Sequence, residues 1–299
     1  MSVSVNPKNI IVTQDGSKYQ KADKGKVIAG VLLGNISGGA ALQTAKTLSR
    51  IPISNRKKDV AVFKGSNLSQ AIDIAFAKSG LVNKDVKFIE ATGANTELVK
   101  ETINKALPKW LDKVPALKNI MLKGLHSKAA IMSRGANACF VPRAKAIIVN
   151  KEKIGWAAFH EMGHALNKFT PGVGKVLTKL SGPGAILAAA ALFTALFKRK
   201  KVEGEKPQGA WDKTTTFIKN NCGKLAFLGM VPSLAEEGLA SIKGAKLAKG
   251  LLSPEQFRTL NKLNGKAWLT YLGVAVGTGL AVYVASKVRD NIAAPKKIS

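Results

Sequence analysis

The sequence predicts an α+β fold that is mainly α-helical, with one core built on a histidine-bearing helix and with apolar helices of membrane type. Three observations predict it. Gly155–Asn167 reads as a helix carrying His160-Glu161-Met162-Gly163-His164. Directly ahead of it, Ala138–Pro142 and Lys145–Val149, joined by a turn at Arg143-Ala144, read as a strand–turn–strand unit. Gly182–Phe197 and Ala267–Ser286 are apolar and uncharged; the second is twenty residues long with Trp268, Tyr271 and Tyr283 near its ends, the length and aromatic placement of a bilayer-spanning helix.

Taken in order, residues 1–26 are polar and read as a flexible or loosely attached arm, without a signal-peptide pattern. Val27–Leu42 is apolar and glycine-rich. It falls short of the ~20 residues a span needs and is interrupted by Asn35 and Ser37, so an interfacial or buried helix is expected. Asp59–Phe63 reads as a short strand, Asn67–Lys78 as an amphipathic helix and Lys87–Ala91 as a second strand. Asn95–Leu107 reads as a helix ended by Pro108, and Trp110–Met132 as a helical stretch broken by Pro115. After the histidine helix, Gly182–Phe197 closes on the basic run Lys198-Arg199-Lys200-Lys201, and Leu225–Ala235 is a shorter apolar stretch. The chain thus divides into an arm with an apolar segment (residues 1–55), a helical soluble region (56–134), a core (135–241) with the inserted apolar segment 182–197, and a C-terminal region (242–299) with the apolar helix 267–286.

The formal net charge of +29 is high enough to suggest nucleic acid or an anionic membrane surface as a partner. Lys and Arg recur in nearly every segment between apolar stretches, however, without the aromatic interleaving of single-strand binders, so nucleic acid has weak support. Lysine-flanked apolar segments fit a membrane protein better. Positive-inside counting gives no orientation, because Lys198–Asn220 carries seven Lys/Arg against three acids and Lys243–Lys266 six against one. Cys139 and Cys222 are the only cysteines, too few for a disulfide framework, and read as small apolar residues in a reducing compartment.

The chemistry sits in the H-E-x-x-H motif. Residues four apart on a helix share a face, so His160 and His164 can bind one zinc ion, and Glu161 can take the proton of a water activated there. Two of the three histidines in the chain are used here. Gly163 costs the helix roughly 1 kcal/mol against alanine, which suggests that something approaches the helix closely at that point.

A zinc site of this kind needs a third protein ligand. His126 lies in a basic stretch expected to be exposed, whereas Glu236 and Glu237 stand together in the apolar, helical Pro232–Ser241. A carboxylate pair is costly to bury there unless a cation receives it. Neighbouring helical residues point about 100° apart, so both cannot face one ion. One of the two is therefore the expected ligand, Glu237 or Glu236; Ala240, in register with Glu237, has a small side chain that would let that face pack tightly on the motif helix, and the other glutamate would orient a histidine.

With these residues in view, the chain resembles the gluzincins, specifically the membrane-embedded branch related to HtpX and the CAAX prenyl proteases. His160-Glu161-Met162-Gly163-His164 matches the family's H-E-x-G-H helix, Glu237-Gly238-Leu239-Ala240 its downstream E-x-x-A, and Asn137-Ala138 the Asn-Ala that opens the substrate-side strand. Ser241 stands where the family usually has aspartate; peptidases resembling YugP carry serine there. The likeness covers roughly residues 135–241. It implies a zincin-like catalytic core with His160, His164 and Glu237 on Zn²⁺ and Glu161 as general base, and zinc-dependent endopeptidase activity at a membrane. In such proteases an edge strand beside the metal holds the peptide by main-chain hydrogen bonds.

The expected partners are therefore a peptide or protein substrate and the membrane, and the expected location is integral to it, with the catalytic core on the cytoplasmic side. Two alternatives are a catalytically inactive membrane scaffold and a basic protein binding nucleic acid or anionic lipid. Intact His160, Glu161 and His164 argue against the first, and the charge alone supports the second.

Overall fold

The computed structural model describes residues 9–49, 59–64, 67–107 and 109–298, so Met1–Lys8 of the expected arm and Pro108 lie outside the described residues. The chain is mainly helical with small sheets, and it divides into two compact units. One comprises Pro52–Lys179 with Ser233–Leu269; the other comprises Met1–Ile51, Leu180–Pro232 and Thr270–Ser299.

The first unit holds the motif helix. Its sheet has the order β3 (Lys87–Glu90), β5 (Ala146–Val149), β4 (Cys139–Val141), with β3 parallel and β4 antiparallel to the central β5. β5 is apolar and buried along its whole length, as a central strand covered on both faces must be. Its alternation splits the core: Ile147 and Val149 pack with Phe159 and Met162, while Ile148 packs with Val99, Ile103 and Met132. The second group comes from α3 (Thr96–Asn104) and α4 (Pro115–Ser133), and Pro115 opens α4 where a missing N–H costs nothing. The first group is completed by α2 (Leu68–Lys78) and by α6 (Ala157–Phe169), the motif helix. Asn150 ends β5 and caps the short α5 (Lys151–Ile154) by accepting from the Lys153 N–H at 2.9 Å, so the strand leads directly into the motif.

Asp59–Phe63 is not the expected strand. Ala61–Phe63 is one turn of 3₁₀ helix whose Phe63 plugs the core, while Lys262 and Lys266 hold Asp59 at 2.7 and 2.8 Å. One buried aromatic side chain anchors this segment without strand pairing.

The second unit contains helices larger than the apolar runs suggested. α1 (Lys24–Ser49), α7 (Val173–Phe197), α9 (Cys222–Ala248) and α10 (Pro254–Ile292) are the four described helices long and apolar enough to cross a membrane, though α7, α9 and α10 also contribute residues to the first unit. Val27–Leu42 is therefore the middle of a 26-residue helix rather than a short interfacial one, and Leu225–Ala235 lies inside a 27-residue one. The buried positions of α1 are Gly30, Gly34, Gly38 and Ser49, whereas Ile28, Leu32 and Ile36 are about 60% exposed. Large side chains outside and small ones inside is the arrangement expected of helices in lipid. A Cβ added at Gly30, Gly34 or Gly38 would stand 3.0, 2.7 or 2.9 Å from the carbonyl oxygens of Arg289, Ala285 and Ala281, so α1 and α10 pack backbone to backbone over two turns. α7 and α9 approach likewise at Gly184 and Gly229, joined through α8 (Gly209–Asn220). Lys219 and Arg289 close the C-terminal end of α7 by donating to the carbonyls of Ala195 and Leu196 at 2.7 and 3.1 Å.

The arm also needs correction. Ile10–Val12 (β1) and Lys18–Gln20 (β2) form an antiparallel hairpin, which Lys296–Lys297 (β6) joins. The signal is Asp15-Gly16: Gly16 adopts φ 81°, and Asp15 accepts hydrogen bonds from the Thr13 and Ser17 hydroxyls.

Two outcomes follow from this architecture. Spanning helices are held by apolar burial, so the protein is expected to stay in the membrane pellet through high-salt and carbonate washes; release into the soluble fraction would contradict the spans. Gly163 and Gly265 offer an internal comparison. A Cβ on Gly163 would overlap the Ala240 backbone, while Gly265, also helical, faces open space. In thermal unfolding, Gly163→Ala is expected to cost about 1–3 kcal/mol and Gly265→Ala to be neutral or stabilising by up to ~1 kcal/mol. Equal midpoints for the two variants would contradict the close crossing.

Candidate metal centre

α6 is amphipathic for a physical reason. Ala158, Phe159, Met162 and Ala165 face the core beside the sheet, which leaves His160 and His164 on a second face, together with Gly163 and Asn167. Against that face lies the C-terminal half of α9. Ala240 meets Gly163, and one turn on, Gly244 meets the Phe159 carbonyl, each with no side chain between the backbones. Trp268 holds α9 from another side, donating from Nε1 to the Leu234 carbonyl at 3.2 Å.

This crossing brings Glu236 and Glu237 to the histidines. The Nε2 atoms of His160 and His164 are 3.0 Å apart, and Glu237 Oε2 lies 3.2 Å from the first and 3.4 Å from the second. His160, His164 and Glu237 form the cluster of potential metal ligands found among the described residues. Ligand atoms held about 2.0–2.1 Å from a tetrahedral zinc lie roughly 3.3–3.4 Å from one another, so the triangle has the right size. The other edges of the rings are taken. Glu236 accepts from His164 Nδ1 at 3.0 Å and from the Asn167 amide at 2.8 Å, and the Ser241 hydroxyl meets His160 Nδ1 at 3.0 Å. Since a carboxylate only accepts, Nδ1 of His164 donates to Glu236, and Nε2 is the ring nitrogen that faces the centre of the triangle, where a cation would displace any proton it carries. The donor set therefore fits a divalent cation: two imidazole nitrogens and a carboxylate oxygen converge, and the rings are braced from behind.

The local field favours positive charge. Burial pushes the His164 pKa down, but hydrogen bonds to Glu236 and Glu237 and the nearby charge of Glu161 outweigh it and hold it well above the ordinary imidazole value. Glu161 is 8% exposed and lies within electrostatic reach of both His164 and Cys139 on β4. Burial, reinforced by Glu161, pushes the Cys139 thiol up to about 12, which makes it a neutral side chain beside the site. β4 is an edge strand, fastened to the end of α6 by an edge-to-face contact of Phe140 with Phe169 at 5.9 Å.

The structure thus brings together His160, Glu161, His164, Glu236 and Glu237. His126 is not among them: it is half-buried and held by Asn104 at 3.1 Å. Two residues of the site escape a reading by motif. Asn167 is completely buried and bonds Glu236 through both its carboxylate and its carbonyl. Its position three residues after His164, on the same helical face, was the available signal. Ser241 was visible only as a departure from a family pattern, yet its hydroxyl sits on His160.

The adjacent glutamates are expected to behave differently on substitution. Glu237→Ala should lose bound zinc, and Glu236→Ala should keep it with about 10–100-fold weaker affinity, measured by metal analysis and competition with a chelator. The reverse order would move the ligand to Glu236. No family model, no curated protein and no solved structure matches this chain.

Proposed function

We propose that this chain is a zinc-dependent metalloendopeptidase of gluzincin type acting at a membrane, with His160, His164 and Glu237 as zinc ligands and Glu161 as general base. The observation that carries the reading is the convergence of His160 Nε2, His164 Nε2 and, from α9, Glu237 Oε2 to 3.0–3.4 Å, with a buried glutamate between the two histidines on α6. A bound zinc ion polarises a peptide carbonyl and brings the pKa of a water toward ~7.

The chain's own residues do the rest. Glu161 takes the proton of the attacking water and returns it to the leaving amine, a task for which its burial keeps competing water away. Glu236, braced by Asn167, holds the His164 ring, and Ser241 holds that of His160. The free edge of β4, next to Glu161 through Cys139, offers main-chain groups to an extended peptide. In this reading the substrate is a peptide or protein met at the membrane, and the catalytic core faces the cytoplasm. The four apolar helices support the membrane part of the proposal.

Glu161→Gln tests it. The amide keeps the shape of the carboxylate but cannot accept a proton, and the three ligands are untouched. Hydrolysis of fluorescein-labelled casein is expected to fall by roughly 10²–10⁴-fold with zinc content unchanged. Full activity in that variant, with wild-type contamination excluded, would overturn the role of Glu161.

A further inference from the structure

Within the unit that includes Leu180–Pro232 and Thr270–Ser299, α9 and α10 meet at Gly223 and Gly279. A Cβ on either glycine would stand 2.9 Å from the other's carbonyl oxygen. Beside that crossing lies an open groove of about 390 Å³, lined by the two glycines with Lys224, Phe227, Val276, Leu280 and Tyr283. Its volume falls in the range of sites that hold a small molecule.

The groove is graded in polarity. Val276 and Leu280 are 42% and 55% exposed and line its apolar part. One turn further along α10 is Tyr283, and beyond it Lys287 places its ammonium 5.4 Å from the centre of the Tyr283 ring. Lys224, in the first turn of α9, reaches the same end. An aromatic ring and lysines following an apolar stretch mark the level at which a helix meets lipid headgroups.

Some lysines of this unit are neutralised by carboxylates, and among the described residues these two, beside the groove, are not. Elsewhere in the same unit Lys198 and Lys201 are paired with Asp212, and Lys219 with Asp290. Lys224 and Lys287 are exposed, and among the described residues neither is paired with a carboxylate. A cationic pair at the polar end of an apolar groove is complementary to an anion carrying a long hydrocarbon tail.

We propose that this groove is a binding site for an anionic phospholipid of the surrounding bilayer. An acyl chain lies along Phe227, Val276 and Leu280, and the phosphate is received by Lys224 and Lys287. The proposal rests on α9 and α10 being membrane spans.

The test uses the full chain reconstituted into lipid nanodiscs of phosphatidylcholine, with trace phosphatidylglycerol or phosphatidylcholine bearing a photoreactive acyl chain and crosslinks mapped by mass spectrometry. The phosphatidylglycerol probe is expected to label Phe227, Val276, Leu280 or Tyr283, and the double variant K224Q/K287Q to lower that labelling roughly 10- to 30-fold. Labelling by the phosphatidylcholine probe should not change in that variant. Equal labelling by both probes, or labelling insensitive to the two lysines, would overturn the proposal. So would crosslinks showing a second copy of the chain seated in the groove. Failure of the protein to enter nanodiscs, with recovery in the soluble fraction, would overturn the membrane reading and the lipid site with it.

Discussion

The backbone-to-backbone crossing of α6 and α9 is the constraint on which the site depends. Ordinary helix pairs keep their axes 8–10 Å apart because side chains intervene. Here Gly163 against Ala240 and Gly244 against Phe159 remove the side chains at two successive turns. The chemistry is set by that closeness. Glu236 and Glu237 lie one turn before Ala240, so the crossing carries both carboxylates to the histidine face of α6. The ~100° between neighbouring helical residues then separates them: Glu237 reaches the two Nε2 atoms and Glu236 the far side of the His164 ring. A wider crossing would leave the buried Asn167 and the half-buried Glu236 and His160 short of partners, which is the costly alternative.

Much of this arrangement was legible because its residues carry local signals. A glycine in the middle of a helix predicts close approach, and Gly163 has it. Ala240 in register with Glu237 predicts a face that packs tightly, and it is fully buried against α6. The strand–turn–strand ahead of the motif follows from apolar runs around Pro142–Ala144 and is found as β4 and β5. What was hidden depends on partners distant in sequence. Asn167 and Ser241 are ordinary polar residues until α9 lies across α6, when they become the groups that hold Glu236 and His160.

Helix lengths were underestimated for a different reason. Counting uncharged residues stops at the first lysine or polar turn, yet Lys24–Lys26 and Gln43–Ser49 continue the helix of α1 because lysine and glutamine are good helix formers whose side chains reach outward. The glycines at positions 30, 34 and 38 carried a spacing signal of four that marks a packing stripe rather than flexibility. The two units thus obey opposite rules. One buries Phe159, Ile147 and Ile148 around a sheet, and the other buries glycine and alanine and turns Ile28, Leu32 and Ile36 outward. The second pattern needs a nonpolar surrounding to be stable, which fits a membrane protein.

The central claim is that this crossing makes a metal centre from two imidazoles and one carboxylate. Anomalous scattering measured on either side of the zinc absorption edge, from crystals of the full chain, tests it most directly. The account predicts one zinc peak per chain, about 2.0–2.2 Å from His160 Nε2, His164 Nε2 and a carboxylate oxygen of Glu237, with no sulfur ligand. A peak elsewhere, a bond of about 2.3 Å to Cys139, or no peak between the two helices would contradict it.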